Sequence, residues 1–251
     1  MERGAVRRTR RPSPPQRRVL AGPIRLAGAL RGRSVALLVS LLTLLAVGPW
    51  LNERLVGLAI WELLFTLVML SGIARLSVRR GQAVVAALLA LPAMACLWLR
   101  QIVPAVGLTQ AGLGLLILFL LYTAATVLLA VFREETVTMD TLSGAFCVYL
   151  LMGLAWGSLD SLLYLQAPGS FRMPEGWTPM HQSGIVVDVP FNIMVYYSFT
   201  TLTTVGYGDV LPLAAASRTA AILEAVLGHF YLAVLVARLV GLHIAYTQRP
   251  R

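Results

Sequence analysis

Residues 200–209 read TTLTTVGYGD, and the chemistry open to that run is ion coordination and not bond making. A bare cation in a narrow passage must be surrounded by oxygens that replace its water shell. The carbonyls of Thr204, Val205, Gly206 and Tyr207, with Gly208 closing the set, supply such oxygens if all of them point at one axis. A backbone of that kind needs φ values that residues with a Cβ avoid, which accounts for glycine at 206 and 208. The Thr204 hydroxyl adds a lower ring of oxygen. Asp209 follows at the outer mouth, where its charge raises the local cation concentration. A Gly-x-Gly pair after a threonine run is also an ordinary turn, so context decides. The run must follow a short helix, lie between two spanning helices and face outward.

The elements around it meet these conditions. Residues 191–203, FNIMVYYSFTTLT, follow Pro190. They are too few to cross a bilayer and suit a re-entrant helix, which is tolerated at membrane depth only inside protein or beside water. Its C-terminal end aims at Thr204, so the helix dipole favours a cation there. Tyr196, Tyr197 and Thr203 are read as support for the filter, the two tyrosines as a cuff that holds its width or as plain core aromatics. An outer helix at 141–165 precedes it, capped by Asp140, with Asp160 placed at the outer boundary in water. The loop 166–190, with Pro168, Pro174 and Pro179, reads as an extracellular turret of little regular structure. An inner helix at 217–244 follows. Gly228 in mid-helix marks a bend or a close helix approach. Glu224 and His229 are polar residues inside a span, where function is the default reading. Glu224 is placed behind the pore helix, and His229 either lines the cavity below the filter or bonds a neighbouring helix.

Composition sets the class. The chain has 251 residues, 58% hydrophobic and 13% charged, with a mean hydropathy of +0.76; a soluble domain is not built that way. Apolar runs of about 20 residues can cross a bilayer, and six are present, near 34–51, 55–76, 82–99, 110–132, 141–165 and 217–244. The formal charge is +10 and every basic residue is arginine, ten of them before residue 34. That tail predicts contact with anionic headgroups, not with nucleic acid, and disorder to about residue 20. Arginine is concentrated on one side of the six runs. This puts both termini in the cytoplasm of a plasma-membrane protein and residues 166–216 outside. Cys96 and Cys147 fall inside spans, so no disulfide scaffold is expected.

The segment 195–210, VYYSFTTLTTVGYGDV, resembles the pore helix and filter of tetrameric potassium channels, above all prokaryotic members with one pore loop per chain. The stretch 228–241, GHFYLAVLVARLVG, is similar to the inner helix of small bacterial ion channels, in which a glycine at the position of Gly228 is a gating hinge. The resemblance covers about 105 residues, 141–245. It implies a homotetramer, with K+ as the permeant ion at Thr204, Val205, Gly206 and Tyr207, no other cofactor and no soluble substrate.

The expected organisation is an all-α integral membrane protein of six transmembrane helices plus a re-entrant pore helix and selectivity filter. Residues 1–33 form a cytoplasmic tail, 34–132 a four-helix unit, 133–140 a linker, 141–245 the pore domain and 246–251 a short tail. The four-helix unit departs from voltage-gated channels. Run 110–132 lacks the arginine at every third position that moves in the field, so intrinsic voltage gating is not expected. Glu62 is its one buried acid, with Arg75 as a partner if the helices meet. No Ser-His-Asp set, metal-ligand cluster or phosphate-binding glycine loop is visible, so an enzyme is not expected. The function read is passive K+ conduction. The alternatives are a weakly selective cation channel, a non-conducting accessory or sensor subunit, and a transporter, for which no internal repeat is visible.

Overall fold

The computed structural model describes residues 33–50, 55–77, 80–103, 105–134, 137–177, 181–182, 185–186 and 191–247. The arginine-rich tail before Arg33, the last four residues, and Pro179 and Pro190 of the turret lie outside the described residues. Among the described residues there are seven α-helices: α1 (Arg33–Val47), α2 (Leu55–Leu76), α3 (Arg80–Leu99), α4 (Val106–Arg133), α5 (Met139–Gln166), α6 (Phe191–Leu202) and α7 (Ala215–Thr247). Four two-residue strands lie between α5 and α7: β1 (Phe171–Arg172), β2 (His181–Gln182), β3 (Ile185–Val186) and β4 (Leu211–Pro212). Strand β1 pairs antiparallel with β4, Phe171 opposite Pro212, and β2 with β3. The turret therefore carries regular pairing that its proline content does not suggest.

Among the described residues, α3, α4, α5 and α7 as far as Leu242 are long and apolar enough to cross a membrane. Helix α2 has 22 residues. Helix α1 is shorter than the run 34–51 suggests. It has 15 residues, a rise of about 22 Å, and gives way to a 3-10 turn at Gly48–Trp50. Pro49, which has no N–H to donate, accounts for the stop. Gly48 serves packing as well, since a Cβ there would meet the Trp61 ring at 2.0 Å.

Apolar side chains cannot drive helix association in lipid, so close packing at small residues must do it. The buried face of α3 is Ala86, Ala90, Ala93 and Leu97, spaced for one helix stripe. It lies on α4, where a Cβ at Gly112 would stand 3.1 Å from Cys96 Cβ. The most extensive contact of the fold is α4 along α5, and Leu113, Leu116, Leu120, Val127 and Val131 of α4 share one buried core with Val148, Leu151 and Leu154 of α5. The first four helices and the pore module thus share one core. Helix α5 begins two residues earlier than expected. Its N-cap is Thr138 and not Asp140: the Thr138 hydroxyl accepts the Thr141 N–H in a reciprocal capping box. Asp140 instead sits 3.9 Å from Arg75.

Glu62 is paired, but with Arg100 rather than Arg75. Arg100 Nη2 and Nε donate to Glu62 Oε1 at 2.7 and 3.2 Å. Arg75 Nε donates to Ser34 Oγ at 2.9 Å. The hairpin between α2 and α3 brings the outer ends of those helices together, which separates Glu62 from Arg75 by more than three turns of α2. Glu62 is only 3% exposed, so Arg100→Ala leaves an uncompensated buried carboxylate. That variant is expected to lose roughly 2–3 kcal/mol, read as a lower melting temperature in detergent. Replacing both partners by leucine restores most of the loss.

Candidate ion pore

Helix α6 ends in a turn that re-uses one carbonyl. The Thr200 oxygen accepts both the Val205 and the Gly206 N–H, at 2.9 and 3.1 Å, and Thr204 N–H donates to Thr201 O at 3.0 Å. This clamps residues 204–206 to the last turn of α6. Beyond it the backbone alternates in hand. Thr204 has φ +61, Gly206 +53 and Gly208 +78, and among the described residues no other non-glycine residue has a positive φ. When left- and right-handed residues alternate, each reverses the turn of the one before. A chain built that way runs extended instead of spiralling. Glycine reaches this region freely; for β-branched Thr204 it is an outlier, of the kind that clusters at functional sites at about 1–3 kcal/mol each.

The filter residues 203–209 are all exposed on the single chain. Tyr207 is 72% and Val205 52% exposed, although both are flanked by buried Leu202 and Val210. Tyr196 stacks on Tyr207 with ring centroids 6.3 Å apart and planes within 3°, and its hydroxyl is within reach of Asp209. Asp209 itself accepts the Val210 N–H at 3.0 Å. Tyr197 points the other way. It is 5% exposed and packs edge-on against Phe171 at 5.5 Å. Thr203 Oγ1 donates back to the Phe199 carbonyl at 2.6 Å. The two tyrosines therefore lie apart, Tyr196 stacked on Tyr207 and Tyr197 in the core against Phe171.

Behind α6, Ser198 Oγ lies 2.7 Å from the Gly153 carbonyl oxygen and 2.5 Å from Glu224 Oε1, which ties α5, α6 and α7 together at one hydroxyl. Glu224 and Asp160 are both 0% exposed. Among the described residues Glu224 Oε2 and both Asp160 oxygens have no hydrogen-bond partner. Asp160 thus does not reach water as its place in the sequence suggests, because α5 continues to Gln166 and the β1–β4 pair folds over its end. Helix α7 is unbroken through Gly228, and a Cβ there would stand 2.8 Å from the Leu202 carbonyl oxygen. Close approach is what the glycine provides in this structure. His229, one residue further round, is exposed on the single chain.

Several further residues position α6. Gly153 and Gly157 of α5, four apart, form the seat of the pore helix. A Cβ at Gly157 would meet Val195 Cα at 2.8 Å, and one at Gly153 the Phe199 ring at 2.5 Å. Their spacing is the small-xxx-small pattern of close membrane helices, a signal that was there to be read. Tyr149 OH donates to Leu202 O at 3.2 Å and Tyr231 OH to Ala145 O at 2.6 Å. The first residue of the pore helix, Phe191, packs against Phe65 and Trp61 of α2, at 5.2 and 6.1 Å.

Residues 174–243 match a family model described as "Ion channel". No curated protein and no solved structure matches the chain. The match spans part of the turret, all of α6, the alternating backbone and most of α7. The match covers less than a third of the chain; with the apolar helices long enough to cross a membrane, it gives a chain that carries a segment similar to ion channels among several candidate membrane spans.

Proposed function

We propose that four copies of this chain surround a common axis and conduct K+ passively and selectively across the plasma membrane. The observation that supports this best is the alternation of backbone hand at Thr204, Gly206 and Gly208 in a segment left exposed on the single chain. One such strand gives one wall of oxygens. Four around an axis give stacked rings in which a cation exchanges water for carbonyls, and ions in adjacent rings repel each other onward. Closed cyclic symmetry is the economical way to bring four identical strands together. Val205 and Tyr207 then gain the covering that the single chain lacks. In this reading Thr204, Val205, Gly206, Tyr207 and Gly208 line the ion path and Asp209 guards its outer mouth. His229 faces the cavity beneath, and Gly228 is the candidate hinge for gating.

Six helices span the bilayer in this account, α1 to α5 and α7, with both termini cytoplasmic and the filter outward. Helix α4 carries arginine only at its end, Arg133. Gating by movement of charge through the field therefore has no carrier there, and a shallow conductance–voltage relation is expected in planar bilayers. A steep one would require another source of gating charge.

The proposal is tested first by flux. Proteoliposomes holding the tetramer, four chains of 27.2 kDa, with K+ trapped inside and none outside, should accumulate radioactive Rb+, a cation close to K+ in size. Uptake should disappear when internal K+ is replaced by Na+. Uptake that persists with internal Na+ would indicate a weakly selective cation pore. None in intact tetramers would favour an accessory role.

A further inference from the structure

Helices α4, α5 and α7 do not close against one another along their whole length. They leave a cavity of about 440 Å³ whose lining includes Ile117, Phe132, Trp156, Leu159, Phe230 and Leu235. Every lining residue is apolar or aromatic. On α7 the groove runs from Leu227 to Leu235, about 12 Å along the helix. One end differs from the rest. Phe132 closes it, the Arg238 guanidinium lies 4.8 Å over the Phe132 ring, and the adjacent Arg133 is exposed. Arg238 is itself held in place, its Nη2 donating to the carbonyls of Val131, Phe132 and Glu134 at 3.3, 2.8 and 2.9 Å.

The geometry points to a binding site for one phospholipid with an anionic headgroup, its acyl chain in the groove and its phosphate at Arg133 and Arg238. Two features favour this occupant. The volume falls in the range of about 300–1,000 Å³ usual for small ligands. The apolar length also ends in fixed positive charge at one level, which is the distribution of charge in a lipid and is the known basis of headgroup selection between membrane helices. Hydrocarbon alone gains nothing by leaving the bilayer for the groove, so the arginines must supply the preference.

Trp156 in the lining provides the test. The full-length protein is placed in phosphatidylcholine nanodiscs containing either phosphatidylglycerol or phosphatidylcholine brominated on one acyl chain. The Trp156 signal is taken as wild type minus Trp156→Phe. We expect half-maximal quenching of that signal at a mole fraction lower by about fivefold per arginine engaged for the brominated phosphatidylglycerol. Arg133→Gln should remove part of the preference, and Val234→Phe, at an exposed lining position, should weaken quenching by both lipids. Arg133→Gln carries the charge test if Arg238→Gln, which uncaps α4, fails to fold. Equal quenching by the two lipids, unchanged in Arg133→Gln, would show an ordinary annular contact and overturn the proposal. Absence of quenching would show that a neighbouring copy fills the groove, and would overturn it too.

Discussion

Gly206→Ala tetramers are expected to assemble and to pass no measurable K+ current. Gly206 has φ +53, and no atom lies within 4 Å of where its Cβ would be built on the chain. The objection to alanine is therefore conformational, not steric. An L-residue in the left-handed region costs roughly 1–2 kcal/mol, and a four-fold ring repeats the cost, so about 4–8 kcal/mol per pore favours a different backbone. The nearest relief is rotation of the flanking peptides, which turns carbonyls away from the axis. Val205 and Gly206 N–H share the Thr200 carbonyl, so the turn at the head of the filter is disturbed as well. Gly241→Ala is the control, because that helical glycine has neither a positive φ nor a neighbour within 4 Å. It should conduct like the wild type. Single-channel recording together with the mass of the assembly checks both. Normal current in Gly206→Ala would mean that left-handed backbone at 206 is not needed for conduction.

Gly157→Val is expected to prevent the pore helix from docking. A Cβ at 157 would lie 2.8 Å from Val195 Cα and 3.1 Å from Val195 N, and backbone, unlike a side-chain tip, cannot swing aside. Overpacking costs roughly 1–3 kcal/mol where neighbours can adjust, and here the neighbour is the helix that aims the filter. Ser198, one turn along that helix, would be drawn from Gly153 O and Glu224. That would leave the Glu224 carboxylate, with a second oxygen already unpartnered, without its one hydrogen bond. The expected result is loss of the tetramer peak on size exclusion and a melting temperature well below that of a Gly169→Ala control, whose glycine has open space around it. Wild-type stability in Gly157→Val would show that the α5–α6 contact is looser than described.

The left-handed backbone at 206 and 208 was legible in the residue types, because glycine there is a direct statement about φ. Thr204 was not, since a β-branched residue advertises the opposite of its φ of +61, and only the clamp at Thr200 explains how it is held. Helix positions followed from apolar run length. Their ends did not, because caps and breaks depend on local chemistry such as the Thr138–Thr141 exchange and Pro49. The polar residues inside the helices were visible as anomalies, but their partners were not. Glu62 meets Arg100 and Glu224 meets Ser198 across helices, and no spacing along one helix encodes contacts of that kind. Asp160 shows the same gap from the other direction: six residues from the end of α5 it reads as wet, and the fold over that end buries it. The four helices before the pore resembled nothing specific, yet their placement explains a part of their use. Through Trp61 and Phe65 they brace Phe191, and through α4 they line α5 along its length.

The central claim is that these carbonyls select K+, and a bi-ionic reversal potential tests it most directly. Tetramers in a planar bilayer would face K+ on one side and an equal concentration of Na+ on the other. The account predicts a reversal displaced strongly toward the K+ equilibrium potential, with the displacement absent in Gly206→Ala because the current is absent. A robust current reversing near zero would contradict it, since rings that accept both ions alike are not acting through the geometry described.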